Sequence, residues 1–376
     1  MHLNRTASMF YKFLIPVVKE QKKRGHYVCL CTTNDPVIKL MRDKNLDVFT
    51  YGTKKKLTPY YIIKTVFKIR KILSDLKIDV LICHSPVGAG IGRLTAWITR
   101  TPIVIYFAHG LPCNKGQNPF TWLLWFSIEK SLGLLTDAMV VMNDYDENLA
   151  LNSLIKKPNK IFRIPGMGVD LTKFNCANSR NTKKYVCEEL GLSKDQKVIL
   201  CISMMIPSKG IFIFLEAARQ ICANRNNVCF LLAGKGPMTD KLNELSKEYG
   251  LESQFRILGW RNDVDQLMQA ADIFVLPSYY FEGLPVSLLE AMACQKPVIS
   301  TLNKGCEDAV IDKKTGFLIP TRQVDPLLDK ISILLDSPQL CKEMGQAGRK
   351  HVERFFELEC CTKKITDVLE IACKSS

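Results

Sequence analysis

The 376-residue sequence predicts an α/β protein of two doubly wound domains, and three observations lead there. Short β-rich apolar runs bounded by turn residues alternate with longer segments of helical period. The alternation is repeated, in a chain long enough for two separate cores. The charge divides as well: residues 1–170 hold 25 Lys+Arg against 12 Asp+Glu, a net of +13, while residues 171–376 hold 27 against 25, a net of +2. A basic half suits nucleic acid, an anionic membrane surface or an acidic substrate, and composition does not choose among them.

In the first half, YVCLCTT (27–33), DVLICHS (79–85), TPIVIYFAHG (101–110) and DAMVVMN (137–143) read as buried strands. Between them VVKEQKKR (17–24), PYYIIKTVFKIRKILSDL (59–76) and TWLLWFSIEKSLGLL (121–135) read as helices. The domain's opening strand is expected to be missing, because MHLNRTASMFYKF shows no apolar run ahead of the first helix. The boundary falls near Pro165 to Thr172, in IPGMGVDLT. The second half repeats the rhythm with strands KVILCIS (197–203), VCFLLAG (228–234), FRILG (255–259), DIFVLPS (272–278) and KPVIST (296–301). Its helices are GIFIFLEAARQICANR (210–225), MTDKLNELSKEYG (238–250) and PVSLLEAMAC (285–294), and from Pro338 the chain reads as helical to its end. Apolar runs such as Pro102 to Ala108 fall far short of the roughly 18 residues a membrane span needs. The N-terminus lacks the pattern of a signal peptide, so a cytoplasmic protein is expected. The fifteen cysteines include no CxxC pair and lie mostly inside apolar patterns, as reduced core thiols do.

One stretch concentrates chemistry: FEGLPVSLLEAMACQKPVIS (281–300) sets Glu282 and Glu290 eight positions apart. Pro285 suits the first turn of a helix that follows the strand DIFVLPS. The amides of Gly283 to Ser287 then lie at a helix N-terminus at the carboxyl end of a parallel sheet, which favours an anion. Gly283 permits close approach by a phosphate or a sugar. The two carboxylates suit vicinal hydroxyls, so a nucleotide sugar fits both kinds of group. Two Asp-x-Asp strings, Asp144-Tyr145-Asp146 and Asp263-Val264-Asp265, invite a metal reading. Each follows an asparagine (Asn143, Asn262) expected to cap a helix, so both are read as first-turn carboxylates and no metal is expected.

With these residues in place, the chain resembles the retaining family 4 glycosyltransferases of the GT-B fold, whose hallmark is E-x7-E. The match runs through EGLPVSLLEAMACQKPVIS and GCEDAVIDKKTGFLIP (305–320). Further matches are PGMGVDLTKF (165–174), SKGIFIFLEAA (208–218), LLAGKGP (231–237) and ILGWRNDVDQLMQAADIFVLPS (257–278). CHSPVGAGIGR (83–93), YFAHG (106–110) and IEKSLGLLTDAMVVMN (128–143) resemble especially the capsule and exopolysaccharide members. The resemblance implies two Rossmann-like domains facing each other across a cleft: 1–170 binding the acceptor, 171–355 binding the donor, and a 356–376 helix packing back toward the first. It implies that Glu282 contacts the donor sugar, that Gly283, Leu284 and Pro285 cradle sugar and diphosphate, and that Glu290 grips the ribose diol. Lys209 matches the phosphate-binding lysine, Gly234 the glycine-rich donor turn, Trp260 the region holding the base, and His109 a position contacting the donor sugar. Gly88 and Gly90 fall on the acceptor side.

The implied reaction moves a sugar from a UDP-sugar to a polyprenyl-diphosphate-linked glycan at the anionic inner membrane surface, with no cofactor or metal. The lysine-rich stretch 54–73 and the cluster Trp122, Trp125, Phe126 and Lys130 have the composition of a membrane-facing surface. Nucleic acid is not expected, since no binding module is recognisable. One departure stands out: Met204 occupies the place where the family carries an arginine, five residues before Lys209. That keeps an inactive sugar-nucleotide-binding relative open beside the transferase, and a sugar-nucleotide 2-epimerase shares the fold.

Overall fold

The computed structural model describes residues 1–376 apart from 54–57, 115, 156–157, 178, 194, 281 and 375–376; the lysines at 54–56 therefore lie outside the described residues. The chain forms two compact units, Met1–Met167 with Glu359–Ser376, and Gly168–Leu358.

The first unit holds a seven-stranded parallel sheet. Its strands are β1 (His2–Leu3), β2 (Cys29–Thr32), β3 (Asp47–Thr50), β4 (Val80–His84), β5 (Ile103–Phe107), β6 (Ala138–Val141) and β7 (Ile161–Arg163), in the order β3-β2-β1-β4-β5-β6-β7. The expectation of a missing first strand is wrong. β1 is an interior strand between β2 and β4, pairing His2 with Leu30 and with Ile82, while the Met1 amine donates to the Val80 carbonyl at 2.7 Å. It escapes a sequence reading because it is two residues long and one of them is histidine. Neighbours on both edges supply the hydrogen bonds that a longer apolar run would otherwise announce.

β3 and β7, the edge strands, also lack clear sequence signals, and β3 buries only Val48 of its four residues. Helix Pro86–Thr99 carries three glycines, which weaken a propensity-based reading. It buries Arg93 completely; the guanidinium lies 4.2 Å from the Tyr106 ring centroid and donates to Glu129 at 2.8 Å. Helix Leu358–Lys374 belongs to this unit: Arg24 donates to Asp367 at 2.6 Å and to Glu370 at 3.3 Å, both on that helix.

The second unit holds a six-stranded parallel sheet of β8 (Lys197–Ile202), β9 (Val228–Ala233), β10 (Phe255–Gly259), β11 (Ile273–Leu276), β12 (Val298–Thr301) and β13 (Gly316–Ile319), ordered β10-β9-β8-β11-β12-β13. β8, β9, β11 and β12 are buried almost throughout, which is why they read as continuous apolar runs rather than alternating ones. Phe214, on helix Ile211–Cys222, meets Phe230 and Phe255 at centroid separations of 5.3 and 5.9 Å in the core. Asn143 caps its helix as expected, accepting from the Asp146 amide at 2.8 Å. Asn262 does not: helix Val264–Ala270 begins after Asp263, and the Asn262 carbonyl oxygen accepts from the Trp260 indole instead. Arg261 binds Asp263 and Glu189 at this helix start.

Candidate functional site

In each sheet the strand order reverses at one place, and parallel sheets open a crevice there beyond the carboxyl ends of the strands. In the second unit this lies between β8 and β11. Lys209 ends the 3-10 turn Pro207–Lys209 that follows β8, and Glu282 follows β11. Their side chains meet across the reversal, Lys209 Nζ donating to Glu282 Oε1 at 2.5 Å, with only 12% and 10% of the side chains exposed. The neighbouring thiols are not nucleophiles: burial pushes both Cys201 and Cys306 up to about 12.

The surrounding turns are held backbone to backbone. Gly234, after β9, has φ +146°, and a Cβ there would lie 1.8 Å from the Ser203 carbonyl oxygen; at Gly305, φ +76°, it would lie 2.1 Å from that of Gly283. No side chain fits at either contact. The first brings the turn bearing Met204, 58% exposed, against the Gly234 turn. The second sets the loop after β12 behind the Gly283 loop. Leu284 and Pro285 are buried ahead of helix Val286–Ala293, and Glu290 is half-buried in that helix. Trp260, half exposed after β10, donates its indole N–H to Asn262 at 3.0 Å. Lys209, Gly234, Trp260 and the 282–285 loop thus all follow carboxyl ends of the adjacent strands β10, β9, β8 and β11.

The Asp-x-Asp carboxylates are engaged locally. Asp146 accepts from the Leu111 amide at 2.9 Å and from the Asn143 amide group at 3.0 Å, Asp144 binds Arg163, and Asp263 binds Arg261.

In the first unit the order reverses between β1 and β4, and another polar pair spans it. Ser85, directly after β4, donates its hydroxyl to the Asn4 side-chain oxygen Oδ1 at 2.7 Å, and Asn4 follows β1. Ser85 has φ +61° and ψ 145°, a region that costs an L-residue energy and clusters at functional sites. Thr33 donates to the Arg5 carbonyl at 2.8 Å beside them. Sequence reading missed Asn4, Arg5 and Ser85, because β1 went unrecognised. The usable signal was His84-Ser85-Pro86, a polar break directly after an apolar strand. His109 lies half-buried just beyond β5, its Nε2 2.9 Å from His84 Nδ1. A Cβ on Gly88 would crowd the Arg5 amide at 3.2 Å, whereas one on Gly90 would face Leu132 Cδ1 at 3.4 Å. Gly88 therefore belongs to the reversal point, and the open side of Gly90 to helix packing.

Three helices of this unit expose apolar side chains, and two of them also carry exposed cations. Pro59–Asp75 shows Tyr60, Ile63 and Phe67 with Lys64, Lys68, Arg70 and Lys71; Pro86–Thr99 shows Leu94, Trp97 and Ile98; Pro119–Gly133 shows Phe120, Leu123 and Leu124. Trp122 and Phe126 stack at 4.9 Å, with Lys130 over the Phe126 ring at 5.7 Å. No described helix is long and apolar enough to cross a membrane.

Known proteins resemble this chain in sequence and in fold. Residues 13–173 match the family described as Glycosyltransferase Family 4, and residues 186–351 match Glycosyl transferases group 1. Among solved structures, Anabaena HepE in complex with UDP and glucose superposes with a TM-score of 0.84 over 98% of each chain at 18% identity. WaaG, involved in lipopolysaccharide biosynthesis, superposes with a TM-score of 0.74 over 94% of each chain at 17% identity. Two α/β units, each built on a parallel sheet, place the chain in the GT-B class of fold. An Escherichia coli UDP-Gal:alpha-D-GlcNAc-diphosphoundecaprenol alpha-1,3-galactosyltransferase is 27% identical over 346 residues, 90% of this chain and 87% of the relative. A Campylobacter jejuni N,N'-diacetylbacillosaminyl-diphospho-undecaprenol alpha-1,3-N-acetylgalactosaminyltransferase is 29% identical over 361 residues, 94% of each chain. The chain is a glycosyltransferase that carries a Glycosyltransferase Family 4 domain in its first half and a Glycosyl transferases group 1 domain in its second.

Proposed function

We propose that the protein is a retaining transferase that moves a sugar from a UDP-sugar to a polyprenyl-diphosphate-linked glycan in capsule, exopolysaccharide or O-antigen synthesis. The observation that carries the reading is the Lys209–Glu282 pair at the reversal point of the second sheet. A cation and a carboxylate there match the two needs of a nucleotide sugar, charge neutralisation at the diphosphate and acceptors for hydroxyls. The anomeric C–O bond breaks and the UDP leaves with the bonding electrons. The acceptor hydroxyl attacks the same face of the sugar, and its proton passes to the departing phosphate oxygen. Lys209 and the amides at the start of helix Val286–Ala293 stabilise the charge that grows on the leaving group. Glu282 holds the sugar's hydroxyls, Glu290 holds the ribose diol, and Trp260 lies where the base is held.

The names of the two curated relatives, both describing diphosphoundecaprenol-linked acceptors, support a lipid-linked substrate. The exposed apolar side chains among Lys64, Lys68, Arg70, Lys71 and Lys130 support docking on an anionic membrane surface, since apolar groups insert while cations meet the headgroups. The location that follows is cytoplasmic and peripheral, on the inner face of the membrane.

A second reading, a sugar-nucleotide-binding relative without transfer activity, is favoured by the neutral, exposed Met204 in the turn before Lys209. Release of UDP from UDP-sugars, with or without acceptor, separates the two. The nucleotide assignment is tested by melting temperature with and without UDP: UDP stabilises the wild type, and Glu290→Ala removes most of the shift. Equal shifts in the two proteins would overturn the role given to Glu290.

A further inference from the structure

The register of the first sheet lines up three imidazoles. His2 pairs with Ile82, two residues before His84 on the same face; His84 pairs with Phe107, two residues before His109. Stepping two residues per strand places the three rings on one diagonal, on one face of β1, β4 and the turn after β5. His2 Nδ1 lies 2.9 Å from His84 Nε2, and His84 Nδ1 lies 2.9 Å from His109 Nε2. The inner end is closed by Gln21 on helix Ile15–Lys23, whose Oε1 is 2.9 Å from His2 Nε2. His2 and His84 are fully enclosed, with Phe10 edge-on to His84 and Phe107 against both His84 and His109.

Burial holds His2 down to about 3 and His109 down to about 4, with His84 also well below the ordinary imidazole value, so all three are neutral near pH 7. The Met1 amine beside His2 further disfavours a charge there.

A neutral imidazole carries one N–H, and each link between rings uses one. Three rings with two links therefore have only two consistent arrangements. Either every ring is protonated at Nε2, with the terminal proton on the Gln21 oxygen and a bare Nδ1 on His109, or every ring is protonated at Nδ1 and His109 is a donor. Any mixture sets two N–H groups or two lone pairs against each other and loses a hydrogen bond in a dry interior. The Gln21 oxygen selects the first arrangement.

We propose that Gln21, His2 and His84 are positioning residues that fix the tautomer of His109, so that His109 presents its Nδ1 lone pair as a hydrogen-bond acceptor for a sugar hydroxyl. The chain of rings sets direction and does not store charge, since a carboxamide oxygen at its inner end is a poor proton acceptor. The identity of the ligand rests on the donor-site reading above; the tautomer does not.

The test is the ring-nitrogen chemical shifts of the full chain labelled with 15N-histidine, at pH 7 and without ligand. Expected are three neutral Nε2–H rings in the wild type. His84→Phe, which keeps a ring but breaks both links, and Gln21→Met, which removes the terminal acceptor, should each shift His109 toward a tautomer mixture. Gln21→Glu, an acceptor only, should retain the wild-type tautomer. An Nδ1–H His109 in the wild type, or an unchanged His109 in both folded His84→Phe and Gln21→Met, overturns the proposal; the wild-type spectrum decides even where a variant fails to fold. Addition of UDP-GlcNAc and UDP-glucose is the separate arm. A tautomer set as proposed, with an Nδ1 signal indifferent to both, supports the relay and counts against the donor-site assignment of His109.

Discussion

Replacing Lys209 by methionine leaves the Glu282 carboxylate inside the protein without its nearest cation. The pair is 2.5 Å long and nearly enclosed, so water screens it little. Removing one partner of a buried ion pair typically costs about 3–5 kcal/mol, because the surviving charge keeps its desolvation penalty. The pair lies within a unit, Gly168–Leu358, of about 190 residues, for which 1 kcal/mol corresponds to roughly 2–4 °C in Tm. Lys209→Met should therefore lower the transition of that unit by roughly 6–12 °C at the low end of the cost. Removing both charges, with Lys209→Met and Glu282→Gln together, should recover more than half of the loss, since no unpaired charge remains. Calorimetry of the wild type, the two single variants and the double variant gives the cycle. A Lys209→Met shift below about 2 °C, or single effects that add to the double within about 0.5 kcal/mol, would refute the reasoning. The residues would then touch without mutual dependence, and the mechanism would lose its preset pair.

Three further outcomes follow from the same structure. His2 is depressed to about 3 in the folded protein while the unfolded chain titrates near 6.5, so the unfolded state binds the extra proton and stability falls as pH drops below about 6.5. Between pH 7 and 5 this is about 2 kcal/mol, and His2→Gln should lessen the acid loss of the first unit by that amount in denaturant melts at the two pH values; an unaltered pH dependence would count against a buried neutral His2. Met204→Arg restores a cation beside the proposed diphosphate position and should tighten UDP binding in calorimetry; unchanged or weaker binding would place Met204 away from the phosphates. Neutralising Lys64, Lys68, Arg70 and Lys71, each contributing on the order of 1 kcal/mol at an anionic surface, should release the protein from anionic vesicles as high salt does; indifference of the wild type to such vesicles would refute membrane docking.

Most of the architecture was legible in the sequence where burial is complete. β2, β4, β5, β6, β8, β9, β11 and β12 are buried on both faces or nearly so, and each appears as an apolar run between turn residues. The E-x7-E block, the lysine turn and the glycine turns were legible as well, because each requirement is local: a helix N-terminus, or a φ that only glycine takes readily. What sequence could not give depends on partners distant in the chain. β1 is a strand only because β2 and β4 flank it, and its two residues carry no periodicity. Lys209 and Glu282 are 73 positions apart, Asn4 and Ser85 are 81, and His2 and His84 are 82; in each case strand order and register bring them into contact. Propensity and hydrophobic pattern specify which segments become strands, through short-range sterics and burial. Which strand ends lie side by side at a reversal of the sheet is set by the packing of the whole unit, and only the tertiary structure decided that.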